Sequence, residues 1–178
     1  MTETCFPNTT PDFANLESPN PAYHVVAEKL TSGNSLIGTD INTVSMWCYY
    51  TGSPAGTKFR FGVWDSSTNA RATSDAVNVS ELGNDTDPPK YSLSIGSTIT
   101  LAEGDSIGIM TLSAPSGYGI KIRQCDGCSA GGYPNGNRVI FTQDSGSQAS
   151  STADVNFCVS EGATPTTTLL NPPQVAYI

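Results

Sequence analysis

The chain has 178 residues, 16 acidic against 8 basic, for a net charge of −8, which suits one domain with a core of its own. No cluster of Lys or Arg is present, so binding through nucleic-acid phosphates or to an anionic membrane surface is disfavoured. Only 13% of residues are charged, and no apolar run approaches the ~18 residues that span a bilayer.

Residues 1–21 carry four Pro/Asn-rich interruptions and no periodicity. They read as an extended arm, with Phe6 and Phe13 as its apolar contacts. The start, MTETCFPNTTPDF, has neither a basic n-region nor an apolar h-region and does not read as a signal peptide. From Tyr23 to Leu112, short apolar runs alternate with turn clusters: AYHVVAEKL, TDINTVSMWCYY, TKFRFGVWD, AVNVSEL, KYSLSI, STITLA and DSIGIMTL. Strands of about 5–8 residues at such spacing predict an antiparallel sandwich.

Alternation assigns faces within these runs. In Thr43–Tyr50, Val44, Met46, Cys48 and Tyr50 share one face; in Lys58–Asp65, Phe59, Phe61 and Val63 oppose Arg60, Gly62 and Trp64. The connector TGSPAG suggests that these two strands form a hairpin. With Phe59, Phe61 and Val63 in the core beside Met46 and Cys48, the residues Trp47, Tyr49, Arg60 and Trp64 lie on an outer face. A one-residue slip would instead put Trp47 and Tyr49 inside.

Later strands are expected at Tyr118–Gln124, Asn137–Gln143 and Ala153–Ser160, separated by CDGCSAGGYPNG and DSGSQASS. The eight to ten strands so counted predict an all-β, jelly-roll-like antiparallel sandwich over residues 22–162. Its expected core holds Val44, Met46, Phe59, Phe61, Val63, Leu93, Ile107, Ile109, Ile122, Phe141, Val155 and Phe157. Residues 163–178, ATPTTTLLNPPQVAYI, read as a second extended arm whose buried contacts would be Leu169, Leu170, Val175 and Ile178.

Three local patterns carry a resemblance: Gly52-Ser53-Pro54-Ala55-Gly56, Phe61-Gly62-Val63-Trp64-Asp65 and Leu101-Ala102-Glu103-Gly104-Asp105. Together they resemble the turn-and-strand pattern of β-sandwich modules in phage head and tail-fibre proteins and in bacterial surface proteins. The resemblance spans about half the chain and implies a shape, with function left to the site.

Chemistry is sparse. His24 is the one histidine, and a nucleophile–base device would need it as the base. The acids Asp65, Asp75, Asp85, Asp87, Asp105 and Asp126 sit where turns select Asp, so no enzyme is read and no cofactor is expected. Turn chemistry is likewise preferred to calcium binding at Asp65–Asn69 and Asn84–Asp87.

Five cysteines leave at least one thiol unpaired within the chain. Cys5, Cys125, Cys128 and Cys158 are the disulfide candidates, with zinc as the alternative at Cys125-Asp126-Gly127-Cys128. Cys48 reads as a buried, inert thiol.

Two functions remain. The first is a non-enzymatic assembly subunit at a virion or extracellular surface: a head, decoration or fibre protein that binds itself or neighbouring structural subunits. The second is a carbohydrate-binding or adhesin module that holds a glycan on Trp47, Tyr49 and Trp64.

Overall fold

The computed structural model describes residues 3–5, 12–15, 24–53, 56–84, 87–113, 118–126, 136–151 and 153–161. Fourteen strand segments lie among them. They are β1 (Glu3–Cys5), β2 (Asp12–Asn15), β3 (His24–Leu30), β4 (Asp40–Gly52), β5 (Lys58–Trp64), β6 (Ala70–Thr73) and β7 (Val77–Asn78). Then follow β8 (Lys90–Thr100), β9 (Ser106–Thr111), β10 (Tyr118–Asp126), β11 (Gly136–Thr142), β12 (Ala149–Ser151), β13 (Ala153–Val155) and β14 (Phe157–Ser160). The helical content of the described residues is a single 3₁₀ turn, Val79–Glu81.

Two antiparallel sheets pack face to face. The first has the order β1-β14-β4-β10-β13, with β8 beside β4 and β2 beside β10. The second has the order β12-β11-β3-β9-β5-β6, with β7 beside β5. From β3 to β11 the longer strands alternate between them: β3 in the second sheet, β4 in the first, β5 in the second, then β8, β9, β10 and β11 in turn, with the short β6 and β7 staying beside β5. Such alternation makes the sandwich jelly-roll-like and leaves few sequence-adjacent strands as neighbours.

This corrects one expectation. The strands on either side of TGSPAG do not form a hairpin, because β4 belongs to the first sheet and β5 to the second. The connector carries the chain from one sheet to the other. Turn residues serve both purposes, and nothing local distinguishes a hairpin from a crossover.

Faces follow the preferred register. Val44, Met46, Cys48, Phe59, Phe61, Val63, Ile107, Ile109, Ile122, Val155 and Phe157 are all buried between the sheets. Leu93 is only partly buried at the margin of this core. The pairing of β8 with β4 shifts register between Ile41 and Thr43, and Gly96 sits within the shift at φ +79°. A side chain there would be strained. The displacement brings Ile95, two residues beyond Leu93, into the core.

A second buried cluster lies on the opposite face of the second sheet and includes Val25, Ala27, Trp64, Met110, Val139 and Phe141. Trp64 reaches it because its neighbours are small. A Cβ on Gly62 would stand 3.1 Å from Trp64 Cη2, so the indole lies over that glycine. The ring of Phe141 meets Trp64 edge-on, with centroids 6.0 Å apart, and Trp64 Nε1 donates to Gln143 Oε1 at 3.3 Å. Phe141 is thus buried as expected, but in this outer cluster.

Candidate functional site

β1 adds to β14 in antiparallel register, Glu3 opposite Ser160 and Cys5 opposite Cys158. Cys5 and Cys158 are joined by a disulfide with their Cα atoms 4.0 Å apart. Glu3 reaches beyond its own strand to Lys90, with which it forms an ion pair, and accepts a hydrogen bond from Ser45 Oγ at 3.2 Å. One donor atom from each of Glu3, Cys5 and Cys158 lies within 4.8 Å of the others. The sulfur–sulfur bond removes both thiolates that a metal would require. Cys48 is free and buried, and burial holds its thiol far above the usual range. The backbone of Cys125 lies in β10; its side chain and all of Cys128 fall outside the described residues.

Next to this clamp the outer face of the first sheet is aromatic and basic. Trp47 lies directly opposite Lys90 of β8, and Tyr49 opposite Lys121 of β10. Arg123 is two residues along β10 from Lys121, on the same face. Both cations flank the indole: Lys90 Nζ and Arg123 Cζ each stand 5.9 Å from a Trp47 ring centroid, within cation–π range. Trp47, Lys90, Lys121 and Arg123 are partly exposed, whereas Tyr49 is 8% exposed. Arg123 Nε is buried with no hydrogen-bond acceptor.

Arg60 and Trp64 are elsewhere. Both belong to β5, in the second sheet. Trp64 is fully buried, while Arg60 is partly exposed opposite Met110. The four residues assigned to one outer face therefore divide two and two between opposite sheets. Alternation says which side of its own strand a residue occupies, and it is silent on which sheet that strand joins. Phe13 is placed by its backbone opposite Arg123; Phe6, Leu169, Leu170, Val175 and Ile178 lie outside the described residues.

A polar cluster not anticipated from the sequence ties the two sheets together. Glu28 of β3 is fully buried, and its Oε2 accepts a hydrogen bond from Val155 N of β13 at 2.9 Å. Its Oε1 is buried without a partner. Burial pushes the Glu28 carboxyl well above its usual range; the Val155 N–H and the Arg138 charge oppose the rise, and the Asp154 carboxylate adds to it. Asp154 is also raised, mainly by burial. The neighbouring Asp154 carboxylate would repel an ionised Glu28, which adds to the effect of burial. Arg138, opposite Glu28 in β11, gives its own hydrogen bond to Gln124 Oε1.

The remaining titratable groups have local duties. The Asp65 carboxylate accepts from Ser67 N and Asn69 N, each at 2.9 Å, which is the hydrogen bonding of an Asx turn. Asp105 pairs with Arg71 and accepts from Ala102 N at 2.7 Å. His24 is half-buried, and burial lowers its pKa. Comparison with family models, curated proteins and solved structures gives no match.

Proposed function

We propose that the protein is a non-enzymatic assembly subunit of a virion or an extracellular surface, of the head or decoration kind rather than an in-line fibre repeat. One observation carries this reading. Glu3 stands opposite Ser160 in an antiparallel pair, so the start of β1 and the end of β14 lie side by side at one pole of the sandwich. An in-line repeat needs ends at opposite poles to pass its axis on to the next unit. A sandwich whose first and last described strands meet at one pole suits a body mounted from one side, with the outer face of the first sheet available to neighbours.

The Cys5–Cys158 bond supports the same reading. A load on either end is borne by a covalent link instead of by the three-residue ladder of β1. Such a bond persists in oxidising settings outside the cytosol, in keeping with the proposed location. The alternative, a carbohydrate-binding module, has one partly exposed ring, Trp47, in place of a three-ring platform, since Trp64 is fully buried and Tyr49 nearly so.

Light scattering on the full chain and on a chain lacking residues 163–178 tests the proposal. The full chain should run as an oligomer, and the deletion should lower its assembly state while the sandwich stays folded. A monomeric full chain, merely destabilised by the deletion, would turn the C-terminal segment into an intramolecular strap and favour the glycan reading.

A further inference from the structure

The aromatic and basic face around Trp47 is unusual for this chain. Lys90, Lys121 and Arg123 are three of its 8 basic residues, gathered on two strands either side of β4. Setting them and Glu3, the partner of Lys90, aside leaves 5 basic residues against 15 acidic ones over the rest of the chain. Lys90 is answered by Glu3. Lys121 and Arg123 have no ion-pair partner among the described residues, and Arg123 keeps a buried Nε–H unsatisfied. A guanidinium held against an indole, with a donor left over, has the composition of an interface hot spot. Cation–π attraction to Trp47 biases both cations toward this face, which lowers the entropy lost when they meet a carboxylate.

We propose that this face of the first sheet docks on the acidic surface of a second copy of the chain. The inference rests on the assembly reading above and names the surface that performs it. Charge complementarity chooses the occupant: outside this patch the protein is strongly acidic, so another copy offers carboxylates from many directions. The contact is heterologous, basic face to acidic flank, and such contacts close into rings or extend as open arrays. Complementary charge also steers encounter and makes association sensitive to salt.

Sedimentation velocity on the full chain in ~0.01 M and ~1 M salt, where the Debye length is ~30 Å and ~3 Å, provides the test. Arg123→Glu and Lys121→Glu are run alongside, with circular dichroism to confirm the strand signal of each. The wild type should associate in low salt and dissociate in high salt. Each charge reversal should weaken self-association by about tenfold or more in low salt, and acrylamide should quench Trp47 less in the assembled state than in the variants. Lys121→Glu guards the test, since its ammonium makes no ion pair with the described residues. Assembly untouched by salt and by both reversals would overturn this face as the interface and leave the assembly reading standing. A wild type that stays monomeric in low salt would overturn both. If a uronic-acid oligosaccharide then perturbed Trp47 emission, and Arg123→Glu abolished the effect, the face would be a glycan site instead.

Discussion

Above the ordinary carboxyl value of 4.5 and up to its raised folded value, Glu28 binds a proton in the native state that the unfolded chain has already released. Folding is therefore favoured on the acid side of this window, and that stability is lost as pH rises through the folded pKa. Asp105 and Asp154, both raised chiefly by burial, act in the same direction. Asp65 acts oppositely and at lower pH: burial raises it, but the hydrogen bonds from Asn69 and Ser67 together with the Arg71 charge outweigh that and hold it down. The Glu28 contribution to the melting temperature should accordingly rise on acidification from about pH 8 to pH 5, while His24, lowered by burial, acts the other way below the ordinary histidine value. Glu28→Gln keeps an acceptor for Val155 N and removes the titration, so it should flatten that slope. An identical slope in the variant would mean that Glu28 is ionised in the native state. The residue gave one sequence signal: alternation places it on the face of Val26 and Leu30, a lone acid in an apolar row. Its partners could not be read, because Asp154 and Val155 come from the far end of the chain and the other sheet.

Strands and faces were legible because period-two alternation is a local property, and the core positions of β4, β5, β9 and β14 follow from it directly. Neighbours were not, because β4 and β5 are adjacent in sequence and yet lie in different sheets. That same gap hid the grouping of Trp47 with Lys90 and Arg123, and the separation of Trp64 from Trp47. Four cysteines stood out as bonding candidates, but spacing alone could not pair Cys5 with Cys158. Packing between neighbouring strands makes two predictions. A Cβ on Gly108 would stand 2.2 Å from Val26 O and 2.5 Å from Ala27 Cα. Gly108→Ala must force β9 away from β3 and should cost at least the ~1–3 kcal/mol of an overpacked core. Phe61 is fully buried with its ring 5.5 Å from that of Phe59, so Phe61→Ala should cost about 3–5 kcal/mol. Urea titration measures both, and an unchanged midpoint in either variant would contradict the packing described.

For the whole molecule, the disulfide closes a loop spanning 153 residues, nearly the entire sandwich. On chain-entropy grounds its removal should cost about 4–5 kcal/mol. Cys5→Ala should show this as a lower denaturation midpoint, and an unchanged midpoint would make the bond incidental to stability. The clamp holds the start of β1 beside the end of β14, while the basic face around Trp47 looks out from the first sheet. On the assembly proposed above, this basic face on an otherwise acidic chain would pack against copies of itself. The most direct measurement is the mass of the full chain in low salt across a rising concentration series. A mass that climbs to multiples of 18.6 kDa is the predicted result, and a constant 18.6 kDa at every concentration would contradict it.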